Sequence, residues 1–182
     1  MTLALTLGMT VGIRRTMWMM LGELIGVGLL AVLVVLGVAA LIVQYPALFV
    51  VLKIVGGGYL FYLGIQLWRS RGKMAIDLNG APKTTGRRQL ASQGFITAVA
   101  NPKGWAFFIA LLPPFIEPSH PLVNQMVILL SVILTLEALS LMVYALGGKS
   151  LSKVLQKSGN VRLMNRIAGT LMIGVAGWLV LG

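Results

Sequence analysis

The sequence predicts an all-α integral membrane protein, a helical bundle built from two inverted three-helix repeats. Scarcity of charge, the spacing of long apolar runs and a self-similarity at one offset carry that prediction. Of 182 residues, 58% are hydrophobic and 10% are charged, whereas a soluble domain carries about 25% charged residues. The chain has no cysteine, which excludes a disulfide framework and a thiolate metal site. A net charge of +11 raises nucleic acid as a partner. The cations stand in clusters between apolar runs with no soluble basic module, so they point instead to an anionic membrane leaflet.

A membrane-spanning helix needs about 20 apolar residues. Five runs approach or exceed that length, near 17–43, 48–68, 93–116, 125–146 and 167–181, all within a single transmembrane domain over 1–182. Residues 1–12 are apolar as well but too short to cross alone, and Arg14 and Arg15 follow rather than precede them, unlike a signal peptide. They read as the second part of a helix whose first part is absent, leaving the first repeat truncated at its N-terminus.

Lysine and arginine set the orientation. Arg14 and Arg15 precede the first full span, and Arg69, Arg71, Lys73, Lys83, Arg87 and Arg88 separate the second from the third. Lys149, Lys153, Lys157, Arg162 and Arg166 separate the fourth from the fifth. Those connections are expected in the cytoplasm. The connections at Gln44-Tyr45-Pro46 and from Glu117 to Val123 carry neither residue type, which puts them and the C-terminus outside. Residues 69–92, with Gly, Pro, Thr and Asn and no lasting periodicity, read as a cytoplasmic linker. In the later basic stretch Leu151, Val154 and Leu155 share one face, which suits either a short surface helix or a solvated loop.

Self-comparison supplies the repeat. Lys53-Ile54-Val55-Gly56, then Leu60 and Gly64, matches Arg166-Ile167-Ala168-Gly169, then Ile173 and Gly177, at a constant offset of 113. Glu23 and Glu137 stand 114 apart, each in the helix before its copy of the segment. Three spans per repeat turn the second copy upside down, a recurring transporter design with broken helices and midplane sites. The competing explanation is chance matching of glycines in apolar helices.

Glu23 lies eight residues past Arg15, a rise of about 12 Å at ~1.5 Å per residue. Glu137 lies twelve residues before Lys149, and Lys103 is placed at similar depth in its own span. Each such group costs about 2.5–3.5 kcal/mol at a helix centre, so lipid-facing placement is wasteful. Intramembrane charges face a cavity or one another. Glu137, Ser140 and Tyr144 share one helical face, as do Tyr59, Tyr62 and Gln66. For the acids the alternatives are function or structural pairing with Lys103. For Ser140 and the tyrosines, helix-to-helix bonding is the favoured role.

Between Ala100 and Trp105 a proline, an amide and a cation interrupt an apolar run. Pro102 removes the hydrogen bond to the carbonyl of Ala98 and disfavours helix at Asn101. Asn101 then suits the cap of a new half-helix starting at Pro102. The freed amides, with Lys103, would offer an anion site, and the acids would accept an ammonium group. That pairing suits a zwitterionic amino acid. A carboxyl group out of water also exchanges a proton near neutral pH, which makes Glu23 and Glu137 candidates for proton coupling. The alternative is a proline kink satisfied by neighbouring helices. Gly56-Gly57-Gly58 reads as close helix packing, Pro113-Pro114 as a helix end, Trp18, Trp68 and Trp178 as interfacial anchors, and His120 as a lone loop histidine. With no nucleophile, metal or phosphate-loop motif, neither an enzyme nor a cofactor is implied.

Gly22-Glu23, Val51-Leu52-Lys53 through Gly58-Tyr59-Leu60 to Leu63-Gly64, Asn101-Pro102-Lys103 and Asn165-Arg166-Ile167-Ala168-Gly169 occur in an order and spacing that resembles the LysE/RhtB family of bacterial amino-acid exporters. The resemblance implies amino-acid efflux across the bacterial inner membrane by proton exchange, with a homodimer compatible with it. It puts the family's early acidic position on Glu23, where Asp is common, and its Asn-Pro-Lys motif on Asn101, Pro102 and Lys103. The family's Pro-Gly-Pro motif would fall just before Met1, opposite Asn101-Pro102 by the repeat. The expected site is therefore Glu23, Asn101, Pro102, Lys103 and Glu137, with amino acid, protons and lipid as partners and no nucleic acid. A truncated, non-transporting membrane protein with a structural or regulatory role is the alternative.

Overall fold

The computed structural model describes residues 2–70, 86–117, 119–156 and 158–181. Seven α-helices follow one another in it: α1 (Thr2–Thr10), α2 (Ile13–Gln44), α3 (Pro46–Arg69), α4 (Arg87–Val99), α5 (Pro102–Leu111), α6 (Leu122–Gln156) and α7 (Ser158–Leu181). A short 3-10 turn, Pro113–Phe115, closes α5 where Pro113-Pro114 is expected to end a helix. Most of the linker, 71–85, lies outside the described residues.

Apolar residues on all sides make these helices long. α2 has 32 residues, about 48 Å at ~1.5 Å per residue, against a hydrocarbon core about 30 Å thick. Three stretches are long and apolar enough to span among the described residues: Ile13–Ala40, Leu122–Gly147 and Gly159–Leu181. The expected span at 93–116 is divided. Its helix starts at Arg87, stops at Val99 and restarts at Pro102. The last span, expected to be short, is a 24-residue helix because it starts at Ser158. No separate surface helix forms at Leu151–Leu155, where the backbone of α6 simply continues to Gln156. α1, with nine residues, rises only about 14 Å. It turns into α2 at Gly12, whose φ of +81° places it in the left-handed region that favours glycine.

The pairings run as an inverted repeat requires. α2 and α6 are antiparallel: Gly28 meets Leu134, and Leu30 to Val38 pack among Leu122, Met126 and Leu129. α3 and α7 are antiparallel too. A Cβ on Gly64 would stand 2.9 Å from the carbonyl oxygen of Gly169, and one on Gly57 would stand 2.5 Å from Val180 Cγ2. α4 lies parallel to α2, with Gly22 against Ala91, Gly26 against Phe95 and Ala98, and Gly94 against Met19. The symmetry is incomplete. The partner contact to Gly64–Gly169 would join Gly56 and Gly177, but Gly56 packs on Ala110 of α5 and Gly177 faces open space.

The core has two levels around α2. Ala4, Leu7, Met19, Met20, Leu90, Leu141 and Ala145 join α1, α2, α4 and α6 at one level. Leu30, Ala31, Val34, Val35, Val38, Leu112 and Ile116 join α2, α5 and α6 at the other. The break in the third span and the two acids lie where these levels meet. At the basic end, the expected anchors tie helices together. Arg87 stands 5.6 Å from the Trp18 ring centroid and Arg166 5.0 Å from that of Trp68, whose indole donates to Thr170 Oγ1 at 3.0 Å.

Candidate functional site

A cavity of about 650 Å³ opens between α2, α4, α5 and α6, within the ~300–1,000 Å³ typical of small-molecule sites. Glu23 and Glu137 enter it from the two antiparallel helices, Asn101 and Lys103 from the break. Four of the five residues expected from sequence therefore line one space. Pro102, the fifth, shapes that space without lining it.

The acids differ in setting. Glu23 is 7% exposed, held where α2 and α4 approach through Gly22, Gly26 and Gly94. Glu137 is half-buried on α6, with Ser140 one turn further along the same wall. Lys103, expected to be as buried as the acids, is exposed at the rim. Depth along a helix and burial within the bundle are separate quantities, and α5 begins at the opening rather than inside the packing.

The break is built by Asn101. Its backbone, at φ −81° and ψ 103°, leaves the helix, and its Oδ1 accepts the Lys103 N–H at 3.1 Å. Its carbonyl oxygen accepts the N–H groups of Gly104 at 3.1 Å and Trp105 at 3.3 Å. This corrects the expectation of freed amides. With no N–H on Pro102, each amide of the first turn already has an acceptor in Asn101, so the half-helix does not present bare amides to an anion. The groups left for one are the Lys103 ammonium and the Asn101 side-chain amide. That amide stands beside Gly104, where a Cβ would make an ordinary contact with Asn101 Nδ2 at 3.6 Å.

Several lining residues escaped the sequence reading: Thr97, Gly104, Phe107, Phe108, Leu63 and Met172. Thr97 stands one helical turn before Asn101, a spacing that points to the same face. Leu63 and Met172 come from α3 and α7, which reach the cavity only through packing. Tyr62 and Gln66, by contrast, hydrogen-bond each other at 2.6 Å on an exposed face of α3, away from the cavity. Tyr144 packs beside Leu5 and Val161. Among the described residues no group of three or more His, Cys, Asp or Glu side chains is placed to hold a metal ion.

Long apolar helices in an inverted arrangement, with acids and a broken helix at a shared cavity, define a helical membrane protein of transporter type. The sequence profile of the LysE type translocator family matches residues 1–182, and the chain belongs to that family. It is 30% identical over 168 residues to a homoserine/homoserine lactone efflux protein of Salmonella typhimurium, covering 92% of this chain and 81% of that one. It is 28% identical over 172 residues to a leucine efflux protein of Enterobacter sp., covering 91% and 79%. An uncharacterized membrane protein of Vibrio cholerae is 28% identical over 167 residues, covering 92% and 80%. No solved structure matches the chain.

Proposed function

We propose that the chain exports amino acids or similar small zwitterions from the bacterial cytoplasm across the inner membrane, in exchange for protons. The observation that carries the reading is the single cavity collecting Glu23, Glu137, Asn101 and Lys103. Lys103 and the Asn101 amide meet the substrate carboxylate, the acids accept its ammonium group, and the apolar walls around Phe107 and Phe108 face its side chain. Protonation of an acid on the outer side weakens its hold on the ammonium group, so release outward and proton entry alternate. The relatives named for homoserine and leucine efflux support the substrate class. The family's translocators, the apolar helices and the basic connections support an inner-membrane location with the C-terminus outside.

The test is release from cells preloaded with leucine or homoserine through dipeptide feeding. Expression of the chain is expected to speed release of at least one of these, and Glu23→Gln to reduce it roughly tenfold or more, the scale of a lost charged hydrogen bond, at equal abundance. Release equal to the control across a broad amino-acid panel, with the protein inserted, would overturn the reading in favour of a non-transporting membrane protein.

A further inference from the structure

We infer that Trp105 is a positioning residue: its indole straps α4 to α5 across the break and so holds Lys103 and Asn101 in register with the acids. The inference rests on the reading of this cavity as the transport site, but its geometry stands apart from any substrate.

At the end of α4, the Ile96 carbonyl receives the Ala100 N–H at 2.8 Å and the Ala98 carbonyl receives the Asn101 N–H at 3.3 Å. The Val99 carbonyl would receive the Lys103 N–H in a continuous helix. That N–H is diverted to Asn101 Oδ1. In its place Trp105 Nε1, a group that only donates, reaches back six residues and donates to Val99 O at 2.8 Å. Within a bilayer core a carbonyl without a donor is costly, so the strap closes an account that Pro102 and Asn101 leave open. The same half-buried ring packs against the apolar cluster that Leu30 to Val38 of α2 form with Leu112 and Ile116. One side chain therefore joins the end of α4, the start of α5 and that shared cluster. It does so without lining the cavity.

Three consequences follow from its position. The bend between α4 and α5 is set by a hydrogen bond rather than by Pro102 alone. The rim cation Lys103, two residues earlier on α5, moves with that bend. Loss of the indole N–H, with the ring kept, frees the bend while leaving most of the packing in place.

Trp105→Phe is the variant to use, since it retains an aromatic ring. The chain has no cysteine, so spin labels at Ser92→Cys on α4 and Phe115→Cys after α5 report the bend directly. A second pair, Phe61→Cys on α3 and Leu171→Cys on α7, serves as the control. Both control sites are exposed. Trp105→Phe is expected to shift or broaden the first distance distribution and leave the second unchanged. In the purified protein, preference for L-leucine over L-leucinamide, which lacks the carboxylate, is expected to fall roughly tenfold, with leucinamide binding nearly unchanged. Lys103→Met serves as the reference for loss of that preference. An α4–α5 distance identical to the unsubstituted protein would overturn the strap, whatever transport does. A shifted distance with the leucine preference intact would overturn the positioning role. A protein that neither binds nor exports any amino acid, yet shows the distance change, would sink the transport reading and leave the strap standing.

Discussion

Gly94 has no room for a side chain because the Met19 carbonyl oxygen and the Glu23 amide nitrogen occupy the place a Cβ would take, the latter 2.8 Å away. The constraint is local, yet it bears on function, since anything that separates α4 from α2 at this point moves Glu23. Gly94→Val is expected to destabilise the protein by about 1–3 kcal/mol, the usual cost of overpacking, and to reduce export. Gly37→Val, at a position with nothing within 4 Å, serves as the control, and thermal unfolding in detergent measures both. At this scale sequence reading goes part of the way. Glu23, Glu137 and Lys103 stand out because lipid penalises them, whereas Gly94 looks like any other glycine in an apolar helix. Its role comes from a neighbour some seventy residues away in the chain.

The broken third span shows what an element can reveal. Pro102 and Asn101 announce a stop and a restart, and α4 and α5 follow that punctuation to within a residue. What becomes of the freed hydrogen-bond groups was not legible, because Asn101 has both a side-chain and a main-chain acceptor and either could leave amides bare. In the fold both are used inward. Pro102→Ala supplies the N–H that a continuous helix would direct to the Ala98 carbonyl and lifts the bar on helical geometry at Asn101, so the break is no longer enforced by the backbone. The expected outcome is a protein at least as stable to heat as the original but strongly impaired in export. Thermal unfolding and release assays on the same preparations check this; a variant that unfolds earlier would show that the break is needed for folding rather than for transport.

For the whole molecule, the placement of charge argues for one orientation and packing sets the cavity. Arg14, Arg15, Arg69, Arg87 and Arg88 stand at helix ends, while the turn at Tyr45, exposed by 58%, has no lysine or arginine beside it. In intact cells, Tyr45→Cys is expected to react with a membrane-impermeant thiol reagent, and Ser92→Cys only after permeabilisation. The reverse pattern would invert the proposed direction of transport. The two-fold relation between repeats is also a whole-molecule property, and it is imperfect for a physical reason. α5 wedges against Gly56, so the Gly56–Gly177 contact that would mirror Gly64–Gly169 does not form and Gly177 is left open.

By itself the sequence determined that the chain is a bundle of apolar helices, where its third span breaks and which charged side chains are too costly to leave facing lipid. Those properties depend on transfer energies and on local backbone chemistry, both of which act residue by residue. Only the tertiary structure decided that Glu23 is buried while Lys103 stands at a rim, that Leu63 and Met172 complete a wall, and that Trp105 replaces the missing donor at Val99. The Trp105 bond, reaching back six residues, depends on the turn that Asn101 builds; the others depend on which helices approach at a glycine and how closely. That distance is set jointly by two segments remote in sequence, and no periodicity in either one encodes it.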